Sequence, residues 1–397
     1  MNFLSIVFLL ILLFGLFQII KRCDDKQEQL IFSFALFLKI IGAIGVGVLY
    51  QSYYSGGDTF NYLHDLQLMS HHATDGYFFL NQPRAWFFVQ LIYPLYLLSF
   101  SDYWVLGVNL SVLSFLSTWS LYQEIKLLNI RKWTIQTAFF FIPSVVFWTS
   151  GLMKETVSFA VINLLFLVLL QVRRRTPFLG LELLVFCGLS VLLFYLKYYL
   201  FAPLFVLSML FFTSLFQKYF SPKRLIMLLV FVLCSVTLAT SILHPNMNFG
   251  FFLQALLTNH QEVYAASSPQ GQITMFYDGS LWSFFKSAPL ALFTGLFRPM
   301  IFEGWHVLSI LLGIENTVVF VLFIIGMWGQ FNKPILNYRS LIVMSVLFIA
   351  FLAIILPIAS PNYGSLTRYR TAYYPFFVLL ILQRVYLKSS SYGKPFG

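Results

Sequence analysis

The sequence predicts an all-α polytopic membrane protein with about eleven transmembrane helices plus re-entrant or interfacial helices on the extracytoplasmic side. Charged residues make up 10% of the 397 residues and hydrophobic residues 59%, whereas about a quarter of a soluble domain is charged. Apolar runs near the roughly 20 residues that cross a bilayer recur along the whole chain. Because these runs are apolar throughout rather than alternating, they favour helices.

The apolar runs place the spans in chain order. They lie near 3–20, 31–50, 104–123, 133–149, 153–170, 177–196, 199–217, 224–243, 305–328, 340–358 and 372–388. The first run has no basic residue ahead of it and no small-residue cleavage site, so we expect a retained helix rather than a cleaved signal peptide. No linker or composition shift divides the chain, so we expect one integral membrane domain over residues 1–397.

The basic residues predict the orientation of these spans. If the N-terminus is extracytoplasmic, 17 of the 25 Lys and Arg residues fall in cytoplasmic loops, seven fall on the opposite face, and Lys39 stays inside a span. This distribution follows the positive-inside rule and places the C-terminus in the cytoplasm. The net positive charge is therefore explained by topology, and no nucleic-acid partner is expected.

Two extracytoplasmic segments, about 51–103 and 244–304, contain most of the remaining polar residues. Trp86–Leu98 is apolar enough to enter the membrane, but a full crossing would place the next basic cluster outside, so we expect a re-entrant or interfacial helix. The same argument applies to Ser283–Met300. All six histidines lie on or next to the outer face, so we expect the functional site there.

The first polar cluster directly follows the second span. Gly56 and Gly57 allow a sharp turn, after which Asp58, Tyr62 and Asp65 share one face of a starting helix at spacings i, i+4 and i+7. Asp58 can act as a general base for an acceptor hydroxyl, hold a divalent cation, or simply cap the helix. Tyr62, His64 and Asp65 are candidate substrate-binding residues.

The second cluster lies where two spans meet through a short turn. Lys154 and Glu155 are expected at or just below the outer membrane surface, where ionisable side chains are costly and indicate a polar cavity. Lys154 and Lys197, at two separate outer turns, are suited to binding phosphate, and Glu155 is a candidate catalytic acid. The alternative is that the lysines snorkel and pair with neighbouring carboxylates.

Arginines on the outer face form two further candidate sites. Arg298 can grip a pyrophosphate with Glu303 as its orienting partner or as an acid/base group, although a purely structural Arg–Glu clamp is an equal alternative. Arg368 and Arg370 oppose the positive-inside trend, which favours an anionic ligand over anchoring to lipid headgroups.

Metal and redox chemistry have little support. The three cysteines are isolated, and His71–His72 lacks a third ligand at a fixed spacing. We therefore expect no cofactor, with a divalent cation at Asp58 as the open alternative.

The polar motifs resemble those of bacterial polytopic proteins of surface-polysaccharide assembly, which include Wzy-type polymerases and GT-C-type glycosyltransferases. The likeness is carried by short motifs spread over most of the chain. They are Gly57–Thr59 with Tyr62, Pro143–Glu155, Arg298–Pro299 with Glu303, and Arg368–Arg370. The resemblance implies an outer acid, Asp58, as base and outer arginines that hold a lipid pyrophosphate. GT-C enzymes usually carry this acid after the first span, whereas Asp58 follows the second.

The resemblance implies a glycosyltransferase or polysaccharide polymerase in a bacterial inner membrane. Its expected partners are the bilayer, a polyprenyl-linked saccharide and other glycan-assembly proteins. The alternative is a transporter or flippase of lipid-linked glycans or other anions, which would favour ionisable residues near the membrane midplane. A third interpretation, an acyltransferase, would use His260 and Glu262.

Overall fold

The computed structural model describes residues 3–54, 57–71, 84–174, 180–216, 221–243, 249–303, 307–329 and 338–391. Within these ranges the regular structure is helical, and the only β-type pairing is an isolated bridge between Gln272 and Asn362. The all-α prediction is confirmed. His72, His244 and His306 lie outside the described residues.

Sixteen α-helices lie in the described ranges. In chain order they are α1 (Phe3–Lys21), α2 (Lys26–Val48), α3 (Asp58–His71), α4 (Arg84–Leu98), α5 (Tyr103–Lys126), α6 (Lys132–Phe140), α7 (Pro143–Trp148), α8 (Lys154–Arg174), α9 (Gly180–Phe216), α10 (Pro222–Leu243), α11 (Phe249–Ala266), α12 (Leu281–Phe297), α13 (Val307–Met327), α14 (Arg339–Ala359), α15 (Tyr363–Tyr369) and α16 (Tyr374–Ser391). A π-helical turn, Leu49–Tyr54, extends α2.

Seven helices in the described ranges are long and apolar enough to cross a membrane: α1, α2 with its extension, α5, α8, α9, α13 and α14. Shorter apolar segments lie in α4, α10, α12 and α16. Large apolar side chains on the long helices are exposed, such as Leu13 at 61% and Val307 at 75%. Extensive apolar exposure marks a lipid-facing surface. The chain is a polytopic membrane protein.

One predicted span, 133–149, is wrong as a single helix. The segment forms two short helices, α6 and α7, because Pro143 starts α7 and the preceding Ile142 has an extended backbone. A residue before proline avoids the helical conformation. Neither helix reaches the length that crosses a bilayer.

The predicted turn between spans 177–196 and 199–217 corresponds to a break inside α9. Lys197 has a non-helical backbone, with φ −152° and ψ 81°. The two segments predicted to be interfacial form α4 and α12, of 15 and 17 residues, which are shorter than the roughly 20 that span a bilayer core. The sequence prediction missed α11, which lies in a segment expected to be a loop.

The chain divides into two compact units. Unit 1 comprises Met1–Glu124 and Phe139–Tyr198, and unit 2 comprises Ile125–Ala138 and Tyr199–Gly397. Phe32 anchors the core of unit 1, with edge-to-face contacts at centroid distances of 4.9 Å to Phe115 and 4.8 Å to Trp119. In unit 2, Phe297 packs in the core, with its ring centroid 5.0 Å from that of Phe320. The prediction of a single domain stays a prediction, because compactness does not show independent folding.

Candidate functional site

Asp58 begins α3 directly after a glycine turn in unit 1. Gly57 has φ +112°, and a Cβ at this position would lie 3.1 Å from the ring of Tyr50. The turn therefore requires glycine both for its backbone and for its packing. The Gly57 carbonyl accepts the first helical hydrogen bonds from Phe60 and Asn61. Asp58 is thus the first helical residue, where the helix dipole favours a carboxylate.

The face of α3 that carries Asp58 packs into unit 1 through Tyr62. Tyr62 is buried and meets Phe88 of α4 edge to face at 4.8 Å. Asp58 and Asp65 are half-exposed on either side of Tyr62, and His64 is exposed. Burial raises the pKa of Asp65, although neighbouring His64 opposes the shift. The predicted grouping of Asp58, Tyr62 and Asp65 on one helix is confirmed.

Lys154 meets this face from the first position of α8. Its Nζ lies 5.4 Å from the centroid of the Tyr62 ring, within the range of a cation–π contact. The preceding turn requires Gly151, which has φ +77° and donates its N–H to Ser111 Oγ at 2.7 Å. Asp58 lies one helical turn before Tyr62 on the same helix, so Lys154 contacts the face of α3 that carries Asp58.

Glu155 and Lys197 form a buried ion pair in unit 1. Lys197 Nζ donates to Glu155 Oε1 at 2.7 Å, and their side chains are only 5% and 7% exposed. A buried pair of this kind is costly to break from one side only. The geometry agrees with one part of the alternative, the pairing of a lysine with a carboxylate, whereas the burial of Lys197 does not fit snorkelling. The catalytic role of Glu155 and the ligand role of Lys197 stay predictions.

Lys39 carries a second buried ammonium, near the middle of α2. Its Nζ contacts Thr149 O at 2.6 Å, Thr149 Oγ1 at 2.5 Å and Ser114 Oγ at 3.3 Å. Its hydrogen-bond partners among the described residues are therefore neutral oxygens. The sequence located Lys39 in a span, but its partners come from distant positions and could not be predicted.

Arg298 and Glu303 form the polar centre of unit 2. Arg298 Nε donates to Glu303 Oε1 at 2.6 Å, the Met300 N–H donates to Oε2 at 2.7 Å, and the Tyr363 hydroxyl donates to Oε1 at 3.1 Å. The Arg298 guanidinium also lies 5.4 Å from the Tyr363 ring centroid. Its side chain remains 23% exposed, so the pair is accessible.

The pKa of Glu303 reflects these contacts. Burial raises the pKa, but the hydrogen bonds from Arg298 and the Met300 N–H, with the positive charge of Arg298, outweigh burial and lower it below its ordinary value. Burial raises the pKa of Tyr363. Glu303 is therefore an ionised carboxylate paired with Arg298. This pairing fits both the orienting role and the structural clamp, and the choice between them stays a prediction.

Arg370 is fully buried beside this centre. It donates to Asn316 Oδ1 at 2.6 Å and to Arg298 O at 3.2 Å, and lies 3.8 Å from Glu315 Oε1. Its guanidinium stacks 4.3 Å from the Tyr374 ring centroid. These contacts favour a positioning role that fixes the backbone of Arg298. Asn316 was not among the predicted residues. The sequence did contain a signal for it, because Glu315 and Asn316 are adjacent polar residues within an apolar run.

Arg368, also predicted to bind substrate, is half-buried on α15. It donates to the Tyr369 hydroxyl at 3.1 Å, and its guanidinium lies 5.0 Å from the Tyr369 ring centroid. Its ligand role stays a prediction.

The acyltransferase pair does not come together in unit 2. His260 is buried, with Nδ1 2.7 Å from Ile358 O, whereas Glu262 is exposed. Residues two apart on a helix face different directions. In the part of the chain that the structure describes, no group of three or more His, Cys, Asp or Glu side chains is arranged to hold a metal ion.

Comparison of the chain with protein-family models, with curated proteins and with solved structures finds no match. The resemblance to surface-polysaccharide proteins therefore depends on the motifs alone.

Proposed function

We propose that this chain is a membrane glycosyltransferase or polysaccharide polymerase that uses a polyprenyl-phosphate-linked sugar donor at the extracytoplasmic face of a bacterial inner membrane. The observation that carries the proposal is the position of Lys154 against the face of α3 that bears Asp58. A carboxylate and an ammonium are the two groups this transfer needs, one as base and one for the departing phosphate.

The proposed reaction inverts the anomeric carbon of the donor sugar. The acceptor hydroxyl oxygen attacks that carbon while Asp58 takes the hydroxyl proton. The bond from the carbon to the phosphate oxygen breaks, and its electron pair leaves with the polyprenyl phosphate or pyrophosphate. Lys154 stabilises the charge that develops on this leaving group.

A lipid-linked donor fits the composition of the chain. The described residues are mostly apolar helices, and none of their segments forms a separate soluble domain that could hold a nucleotide sugar. A donor anchored by a hydrocarbon tail reaches such a protein through the bilayer. The proposed partners follow: the bilayer, the polyprenyl-linked saccharide and other glycan-assembly proteins.

Unit 2 contributes a second candidate anion site. Arg298 is partly exposed and held by Glu303 and Tyr363, so its orientation is set before a ligand arrives. A guanidinium fixed in this way suits a phosphate or an acidic sugar. Arg370 acts through Arg298 as a positioning residue.

The test is the pattern of lipid-linked and surface glycans in a strain that lacks the protein, complemented with wild type or with Asp58→Asn. We expect either single repeat units without long chains, which indicate a polymerase, or a glycan shortened by one sugar, which indicates a monosaccharide transferase. Asp58→Asn should not restore the profile. If deletion of the protein leaves the glycan profile unchanged, glycosyl transfer is ruled out as its function.

A transporter or flippase of lipid-linked glycans is the second candidate. Lys39 favours it, because a buried ammonium near the middle of a span, among neutral oxygens, is typical of a substrate or ion pathway. The break at Thr149–Met153, whose first residue contacts Lys39, also resembles the discontinuous helices of transporters.

A further inference from the structure

Unit 1 contains an apolar groove of about 490 Å³ between α4, α5, α8 and α9. Its volume lies within the roughly 300–1,000 Å³ of small-molecule sites. The lining is mostly aliphatic, with Leu91, Leu113 and Leu164 as examples, and its polar groups are serine and threonine hydroxyls. Among the described residues that line it, none is charged. The groove therefore suits a neutral hydrocarbon chain.

The groove runs along the helices rather than across them. On α8 its lining extends from Thr156 to Leu164, and on α5 from Leu110 to Ser120. At 1.5 Å per residue these stretches cover about 12 Å and about 15 Å. Since both helices are long enough to cross the membrane, the groove follows the direction in which lipid chains lie.

Lys154 lies at one end of this groove. Lys154, Val157 and Val161 share one face of α8 at spacings i, i+3 and i+7, and both valines line the groove. Lys154 therefore lies two residues before the first lining residue of α8, Thr156, at the N-terminal end of the helix.

The α4 side of the groove leads to the same place. Phe88, Leu91 and Leu95 share one face of α4, and both leucines line the groove. Phe88 in turn packs on Tyr62, the ring that Lys154 contacts. The lining of α8 and the lining of α4 thus both lead toward the Lys154–Tyr62 pair. A cation above an uncharged groove complements a lipid with an anionic head and a hydrocarbon tail.

We propose that this groove binds the isoprenoid chain of a polyprenyl phosphate, with the phosphate at Lys154. The choice of polyprenyl phosphate over other anionic lipids rests on the proposed function. The groove then holds the donor so that its phosphate meets the face of α3 that carries Asp58.

The test uses a polyprenyl phosphate with a photoreactive diazirine in its isoprenoid chain. It is added to the full chain in phosphatidylcholine nanodiscs, and the labelled peptides are mapped by mass spectrometry. We expect labels on the lining segments of α4, α5 and α8. Ala160→Trp should fill the groove and lower labelling about tenfold, which corresponds to about 1.4 kcal/mol. Leu184→Trp, on the 70% exposed outer side of α9, is the matched control and should label like wild type.

Labels confined to other helices, or equal labelling of folded Ala160→Trp and wild type, would overturn the proposal. The proposal would also be overturned if unlabelled phosphatidylglycerol competed as strongly as unlabelled polyprenyl phosphate, because the groove would then be a general site for anionic lipids. If Ala160→Trp does not fold, the wild-type label map and the competition decide. Labelling requires no sugar transfer, so the two proposals can fail separately. If the groove residues are labelled but the protein has no transferase activity, the lipid-binding inference is supported and the proposed function is contradicted.

Discussion

Glu155 Oε1 accepts a hydrogen bond from Lys197 Nζ at 2.7 Å, and this ion pair ties the first turn of α8 to the break in α9. Both side chains are buried. The pair sets the position of the α8 N-terminus and therefore of the adjacent Lys154. Two interruptions of helical structure are thus held together next to the proposed catalytic groups.

Breaking this ion pair from one side should destabilise the protein. Lys197→Met or Glu155→Gln alone leaves a buried group without its partner, and we expect a loss of about 3 kcal/mol or more in unfolding free energy. The double variant should recover most of that loss, because no buried charge remains. Thermal unfolding in detergent, followed by tryptophan fluorescence, gives the coupling from the four proteins. Additive losses would show that the pair has no energetic importance.

Arg370 should matter for stability more than Arg368. Arg370→Lys removes the planar fork that reaches both Asn316 and the Arg298 carbonyl, and we expect a loss of about 2–4 kcal/mol. Arg368→Lys, at a half-exposed position, should cost less than about 1 kcal/mol. The same unfolding measurement compares them. Equal losses would contradict the positioning role of Arg370.

The Arg298–Glu303 pair should give a stability that depends on pH. Because the folded-state pKa of Glu303 lies below its ordinary value of 4.5, its contribution is complete above that pH and is lost as pH falls through the lower folded pKa. Wild type should therefore exceed Glu303→Gln in melting temperature at pH 7, and the difference should shrink below about pH 4.5. A difference in melting temperature that grows as the pH falls would show that the folded-state pKa of Glu303 is raised rather than lowered.

Lys39 separates the two candidate functions. Lys39→Met removes an ammonium whose hydrogen-bond partners among the described residues are neutral oxygens, so we expect the variant to be as stable as wild type or more stable. Under glycosyl transfer its turnover should stay within about twofold of wild type, which is less than 0.5 kcal/mol. Assays of sugar transfer and of lipid-linked glycan movement in the same vesicles check this. Loss of movement with intact insertion would favour the transporter.

The spans could be predicted from the sequence because twenty apolar residues leave few structural alternatives. The errors arose at one apolar run that a proline divides and at one helix of mixed composition. The run 133–149 carries no charged residue, yet Pro143 divides it. The helix α11 was missed because polar residues are interspersed among its apolar ones. Hydropathy reports burial in lipid, and it does not report local backbone geometry.

The candidate sites could be predicted only in part. The grouping of Asp58, Tyr62 and Asp65 depends on helical spacing, which the sequence contains. The contacts Lys154–Tyr62 and Lys39–Thr149 join residues about a hundred positions apart, and a single sequence contains no signal for them. The burial of Arg370 could not be predicted for the same reason, since an outer arginine in sequence does not reveal its partners.

The most direct test of the account is sugar transfer by the purified protein in a defined bilayer, with a polyprenyl-linked donor and a glycan acceptor. We expect turnover by wild type and by Asp102→Asn, since Asp102 caps α5 through the Val105 N–H and asparagine caps equally well. Asp58→Asn should lower turnover by at least about 100-fold while inserting normally, as expected for loss of a general base. Turnover by Asp58→Asn equal to that of Asp102→Asn would contradict the proposed role of Asp58.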